Sequence, residues 1–184
     1  KVETVGPPFK GNQVKIADDG EILVKGENVM LGYWNKKKET DNVIIDGWLH
    51  TGDIGEINPE DGYLKITDRK KDIIVSAGGD NISPAKIENM ITNEIEIDQC
   101  MVYGDNKNYL VALIVPSKNF LKEKEKINNA IEKINKKLTL LEKIKRIQLI
   151  DENFSIENGL MTPTMKVKRK KVAEKYKNQL EKLY

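Results

Sequence analysis

Short alternation opens the chain. Val14 and Ile16 alternate with polar residues, Asp18-Asp19-Gly20 supplies a turn, and Ile22 and Val24 resume, which predicts a β-hairpin. A second hairpin is predicted from Ile54 and Ile57, through the Pro- and Gly-punctuated turn Asn58 to Gly62, to Tyr63, Leu64 and Ile66. Between them, Asp46 to Asp53 is too broken for a regular element but contains a buriable Trp48. The charge run Thr67-Asp68-Arg69-Lys70-Lys71-Asp72 then reads as a solvated linker between two patterned regions.

Beyond it the period changes. Ile73-Ile74-Val75 predicts a short strand, and Ser83-Pro84 provides an N-cap and a first-turn proline for a helix with Ile87, Met90 and Ile91 on one face. Ile97–Tyr103 and Tyr109–Val115 read as strands joined by the polar turn Gly104 to Asn108. Ile127, Ile131, Ile134, Leu138 and Leu141 recur at threes and fours, the spacing of a surface helix laid over a sheet rather than a coiled coil, which needs more heptads. Ile144 to Ile150 reads as another strand and Phe154 to Met165 as loop. Val167 to Tyr184 reads as a lysine-rich helix with Val172, Tyr176, Leu180 and Leu183 on its apolar side.

Composition narrows the chemistry. At 184 residues, 39% hydrophobic and 33% charged, the chain can bury a core, and no apolar run approaches the roughly 18 residues of a membrane span. The formal charge of +2 makes no global demand for an anionic partner. A single cysteine, Cys100, excludes a disulfide framework, and a single histidine, His50, excludes His-pair metal sites. With three arginines and few aromatics, no dedicated nucleic-acid surface is expected. The first residues, Lys1-Val2-Glu3, carry neither an initiator Met nor a signal-peptide pattern, and the expectation is a piece of something longer.

Three segments are not explained by packing. In His50-Thr51-Gly52-Asp53, the Asp53 carboxylate could accept two hydrogen bonds from a vicinal diol, or simply be a turn aspartate. In Asp68 to Asp72 followed by Ser76-Ala77-Gly78-Gly79-Asp80-Asn81, Arg69 offers a fork of donors and the paired glycines allow close backbone approach. In Asn158 to Lys166, Lys166 could reach charge developing at an acyl or phosphoryl centre. The alternatives there are a solvated lysine or a phosphate contact within Lys166 to Lys171.

The order of these segments carries a resemblance. Gly20 to Gly26, Val29 to Trp34, Asp46 to Asp53, Gly62 to Ile74, Gly79 to Glu88 and Thr162-Pro163-Thr164-Met165-Lys166 closely resemble the adenylate-forming superfamily, and the last of them its long-chain fatty acyl-CoA synthetases in particular. The resemblance implies an α+β fold: a β-rich end of a large N-terminal domain over 1–68, a hinge at 69–72, and a small mobile C-terminal domain over 73–184 with a short sheet packed by helices. It implies two half-reactions. A fatty acid carboxylate attacks the α-phosphate of Mg·ATP to give acyl-AMP and pyrophosphate, and coenzyme A thiol then displaces AMP.

Carried over by position, Asp53 would bind the ribose hydroxyls, Arg69 the same ribose region, Lys71 would be the hinge, Lys166 would serve adenylation, and Gly78 and Gly79 would share the coenzyme A tunnel. The Mg2+ ligands, the phosphate-wrapping loop and the acyl pocket would lie upstream, in the N-terminal part of the same parent chain. The fragment alone would then be inactive, and its β-rich piece incompletely stable without sheet partners. Competing expectations are an adenylating ligase with an acceptor other than coenzyme A, and a non-catalytic basic module for nucleic acid or anionic lipid. The expected location is cytoplasmic, a long-chain substrate leaving room for peripheral association with an endoplasmic-reticulum-type membrane.

Overall fold

A computed structural model describes residues 1–2 and 4–184. The chain divides into two compact units, Lys1–Lys71 and Asp72–Tyr184, so the division falls inside the charged stretch 69–72.

The first unit is built on one antiparallel sheet. Strands β1 (Gln13–Ile16) and β2 (Glu21–Lys25) form the first hairpin, with Val14 opposite Val24 and Ile16 opposite Ile22. Helix α1 (Lys37–Val43) leads into the two-residue strand β3 (Ile44–Ile45). The long strand β4 (Trp48–Ile57) then pairs with β2, with β3, and with β5 (Leu64–Arg69). Two expectations are corrected here. The broken stretch 46–53 contributes most of a ten-residue strand, because its irregular residues are absorbed as a bulge; and Thr67–Arg69 extend β5 rather than forming a linker, with Asp68 buried. Trp48 is half-buried beneath the ammonium groups of Lys15 and Lys25, 4.3 and 5.9 Å from its ring.

The second unit is layered. Strands β6 (Ile74–Val75) and β7 (Asn81–Ile82) make a small hairpin, followed by α2 (Pro84–Thr92), whose first turn is capped by the Ser83 hydroxyl accepting from the Lys86 N–H at 3.3 Å. A three-stranded sheet holds β9 (Leu110–Pro116) between antiparallel β8 (Ile97–Tyr103) and parallel β10 (Ile144–Leu149), with α3 (Lys124–Asn135) in the connection. Every residue of β9 is buried, the signature of a strand covered on both faces. Alternation splits it: Leu110, Ala112 and Ile114 pack with α2 and α3, whereas Val111, Leu113 and Val115 pack with Phe154, Leu160, Met161, Val172, Tyr176 and Leu180.

Two helices depart from their periodicity. α3 stops at Asn135, whose side-chain amide donates to the Ile144 carbonyl (2.8 Å) and accepts from the Ile144 N–H (2.9 Å), so the chain turns into β10; Leu138 is still buried but Leu141 is exposed. The terminal segment forms α4 (Arg169–Lys175) and α5 (Lys177–Glu181) instead of one helix, interrupted where Tyr176 leaves helical dihedrals with its ring buried and its hydroxyl on Glu152. Backbone bonds from Tyr176 to Val172 and from Leu180 to Tyr176 cross the break, which keeps all three residues on one apolar face.

Double-sided burial gives the first prediction. Leu113→Ala and Ile114→Ala, neighbours on opposite faces of β9, should each cost about 2–5 kcal/mol in urea unfolding. A cost confined to one of the two would mean that one face of the sheet is wet.

Candidate active site

The first candidate cluster forms where β4 swells. Between the Leu23–His50 and Glu21–Ile54 pairs, β2 advances two residues while β4 advances four, so Thr51, Gly52 and Asp53 bulge opposite Ile22. The Thr51 hydroxyl pins the bulge by donating to the Ile22 carbonyl at 2.7 Å, and Gly52 takes a φ of +71°, open to glycine without strain. The bulge delivers Asp53 directly opposite Arg69 on β5, where Asp53 Oδ1 meets Arg69 Nε at 2.8 Å. Two residues 16 positions apart in sequence, both singled out there, thus form one acceptor–donor pair whose side chains are 24% and 57% exposed. A carboxylate beside a guanidinium can take both hydroxyls of a diol while the cation holds the charge in place.

Behind this pair lies a group that sequence reasoning missed. Glu21 is 3% exposed. Its Oε1 accepts from the Gly52 N–H at 2.9 Å, and its Oε2 contacts His50 Nδ1 and Lys70 Nζ, each at 2.9 Å. Lys70 also pairs with Asp19 Oδ2 at 2.6 Å, and its backbone N–H donates to the Gly52 carbonyl at 2.9 Å. Burial opposes the Glu21 charge, but the hydrogen bonds from Lys70, His50 and Gly52 outweigh it and hold the carboxyl below its ordinary value. Asp19 is lowered chiefly by Lys70, and Lys70 is raised by Asp19 and then Glu21. No sequence signal marked it: alternation through Ile22 and Val24 puts Glu21 on the other face of the strand, yet Glu21, Ile22 and Leu23 are all buried.

In the second unit the glycine loop is the tip of the β6–β7 hairpin. Ser76 organises it: its hydroxyl accepts from the Gly78 and Asp80 N–H groups and donates to Asp80 Oδ2 at 3.0 Å. Gly79 has a φ of +88°, which favours glycine, while a Cβ on Gly78 would lie 3.1 Å from Asp80 Oδ2 and would press that carboxylate aside by a few tenths of an ångström; both glycines are exposed. The hairpin docks on the β8–β9 turn through Asn106 N–H to Val75 O (2.8 Å) and Ala77 N–H to Lys107 O (3.0 Å).

Lys166 closes a different hairpin, in which Met161 bridges Val167. The Thr162 N–H donates to the Lys166 carbonyl (2.8 Å), the Lys166 N–H donates to the Thr162 hydroxyl (3.1 Å), and Met165 occupies the left-handed region at φ +60°. The Lys166 side chain is exposed and forms no ion pair among the described residues. Three residues on, Arg169 is anchored inward, its Nη2 2.5 Å from Glu88 Oε2 and its Nη1 3.0 Å from the Val102 carbonyl. That removes the only arginine of the run 166–171 from any phosphate-binding role.

The structure therefore joins Asp53 with Arg69, and carries Lys166 and the glycine pair on two separate segments of the other unit. These segments are rooted on opposite faces of its sheet: Ile74 and Ile82 belong to the core on the α2–α3 side, Leu160 and Met161 to the core on the α4–α5 side. Lys71 is exposed at the end of the first unit. Among the described residues no group of His, Cys, Asp and Glu is arranged to hold a metal ion.

Residues 71–184 match the family profile described as the AMP-binding enzyme C-terminal domain. The chain belongs to that family. All of it aligns with a long-chain-fatty-acid–CoA ligase of Mycobacterium tuberculosis at 39% identity over 206 positions, covering 34% of that relative. It is 37% identical to long-chain-fatty-acid–CoA ligase 5 of mouse, covering 98% of this chain and 31% of that one. Among solved structures, the adenylation domain of a carboxylate reductase from Mycobacterium chelonae superposes with a TM-score of 0.84 at 27% identity, over 97% of this chain and 31% of that one. The chain thus spans about a third of the length of the curated relatives it matches.

Two predictions rest on this geometry. Because the folded carboxyls of Asp19 and Glu21 are depressed, their stabilising share is fully present above the ordinary values of 3.8 and 4.5 and is lost as pH falls through the lower folded ones. Lys70 is raised, so its share is present below 10.5 and lost as pH rises beyond that. Both tryptophans, Trp34 and Trp48, lie in the first unit. Their fluorescence in denaturant titrations should show stability declining as pH drops below about 4.5, and Glu21→Gln should flatten that limb; an unchanged acid limb would refute the assignment. At the lysine hairpin, Met165 already carries a Cβ in the left-handed region, which costs about 1–2 kcal/mol, so Met165→Gly should match or exceed wild-type stability in denaturant unfolding, whereas the β-branched Met165→Val should fall below it.

Proposed function

We propose that this chain is the C-terminal part of an ATP-dependent long-chain fatty acid–CoA ligase. The observation that carries the reading is the alignment of the whole chain, both units included, with relatives named for that activity at 36–39% identity. In this reading 1–68 end the large adenylation domain, 69–72 form the hinge with Lys71 as pivot, and 73–184 are the mobile small domain. The fatty acid carboxylate attacks the α-phosphate of ATP, releasing pyrophosphate and leaving acyl-AMP. The thiol of coenzyme A then attacks the acyl carbonyl, and AMP departs.

Each site residue has a part suited to its setting. Asp53 accepts the ribose hydroxyls and Arg69 both steadies that carboxylate and faces the ribose. Lys166, exposed and unpaired on a hydrogen-bonded turn, brings positive charge to the carboxylate and α-phosphate as negative charge gathers between them. Gly78 and Gly79 present bare backbone to the pantetheine arm in the thioester step. The two segments are rooted on opposite faces of one sheet, which supports their serving different half-reactions through rotation of the small domain. Magnesium ligands, the phosphate loop and the acyl pocket belong to the N-terminal part of the parent chain, and the 184 residues alone are inactive. The setting proposed with this reading is cytoplasmic, and the long-chain substrate is the reason to propose peripheral contact with an endoplasmic-reticulum-type membrane. No helix among the described residues is long and apolar enough to cross one.

The test is fatty-acid-dependent exchange of labelled pyrophosphate into ATP by the parent protein. Lys166→Ala should lower exchange about a hundredfold or more, yet convert a supplied acyl-adenylate and coenzyme A to acyl-CoA at a rate close to wild type. Exchange that survives the substitution removes Lys166 from adenylation. Product formed without coenzyme A, on another acceptor, would replace the ligase reading with that of a different acyl-transferring adenylating enzyme.

A further inference from the structure

The diol-binding pair depends on a carboxylate that touches no substrate. Asp53 is preceded by Gly52 and Arg69 is followed by Lys70, and Glu21 holds both flanking residues: its Oε1 accepts from the Gly52 N–H and its Oε2 from Lys70 Nζ, each at 2.9 Å. The Lys70 N–H donates to the Gly52 carbonyl, also at 2.9 Å, so both backbone polar groups of Gly52, and with them the peptides on either side of it, are held. His50 contacts the same Oε2 from two residues before Gly52. Charge inside a sheet is costly unless every lone pair is engaged. A buried glutamate serving only as filler would be better replaced by an apolar residue, as its neighbours Ile22 and Leu23 show.

We infer that Glu21 is a positioning residue for nucleotide binding, clamping the Gly52 bulge to Lys70 so that Asp53 and Arg69 stay opposed across β4 and β5. Toward β2 the bulge of three residues against one has no regular ladder bonds, only the Thr51 hydroxyl on the Ile22 carbonyl, and small rotations at a glycine with positive φ would swing Asp53 away from Arg69. Glu21 supplies the missing constraint from the neighbouring strand. Lys70 completes the clamp, and its second partner, Asp19 in the β1–β2 turn, holds the ammonium in place at 2.6 Å. The inference rests on the reading of Asp53 and Arg69 as the ribose site.

The experiment separates the two. Dissociation constants for ATP and for 2′,3′-dideoxy-ATP are measured by calorimetry on the full-length parent protein, for wild type, Asp53→Ala, Glu21→Gln and Lys70→Met. Wild type should prefer ATP, and Asp53→Ala should erase the preference. Glu21→Gln should reduce it about tenfold by weakening ATP while leaving the dideoxy analogue nearly unchanged. Lys70→Met, at a half-exposed position, should act in the same direction and takes over the test if Glu21→Gln does not fold. A folded Glu21→Gln or Lys70→Met protein that keeps the full preference for ATP, or that loses affinity equally for both nucleotides, overturns the positioning role while the ribose site stands. A wild type with no preference, or one that Asp53→Ala does not diminish, overturns the ribose reading and this inference with it.

Discussion

Because all seven residues of β9 are buried, the second unit has to cover its sheet twice, and the placement of everything else in that unit follows from which side each segment takes. The β6–β7 hairpin commits to the α2–α3 side through Ile74 and Ile82, and the turn carrying Lys166 commits to the other through Leu160 and Met161. Neither can change sides without uncovering a core face that is almost wholly dry. A partner that uses first one segment and then the other must therefore meet a different face of the unit each time. Loop flexibility cannot supply that; rotation of the unit as a body can.

The first unit solves a different problem, which is to break regularity at one point without losing the sheet. β4 is ten residues long and pairs with three strands, yet its bulge at Thr51 to Asp53 points a carboxylate where an even ladder would not. The disturbance is contained by local bonds: Thr51 to Ile22 on one side, the Gly52 peptide between Glu21 and Lys70 on the other. Irregular backbone is sustainable when surrounding groups over-determine it, and here they come from β2, β4 and the end of β5.

The same irregularity decides what could be read from the sequence. The β1–β2 hairpin was legible because Asp18-Asp19-Gly20 breaks a clean alternation, and the start of α2 because Ser83-Pro84 is a cap with a mechanism. The second half of β4 was legible too, as the Ile54–Ile57 strand that pairs with β5, but its first half was not, since a bulge erases the period-two signal over 50–53. The α3 pattern ran on through Leu138 and Leu141 because burial continues past the helix, and spacing cannot register that Asn135 has already tied the chain to Ile144. Asp53, Arg69 and Lys166 were visible as unexplained polar residues in motifs. Glu21 was not, because its partners at 50, 52 and 70 are brought together only by the fold.

The distribution of cations points the same way as the motifs. All three arginines have internal contacts: Arg69 with Asp53, Arg169 with Glu88 and the Val102 carbonyl, Arg146 with the Leu183 carbonyl. The basic run 166–171 is thereby left with lysines only, point charges without the planar fork that reads phosphates bidentately. Lys166 is exposed on a hydrogen-bonded turn, whereas Lys168 is half-buried with its N–H on the Leu160 carbonyl and Lys170 and Lys171 lie in α4. At 4 Å, one unit charge stabilises another by about 1 kcal/mol in water and about 4 kcal/mol at an effective dielectric near 20. A hundredfold contribution to a chemical step corresponds to about 2.7 kcal/mol. An exposed ammonium falls short of that and a water-excluded one reaches it. In the adenylation role proposed for Lys166, its charge therefore acts at that strength only where solvent is excluded around it, and the hydrogen-bonded turn holds its backbone ready for that.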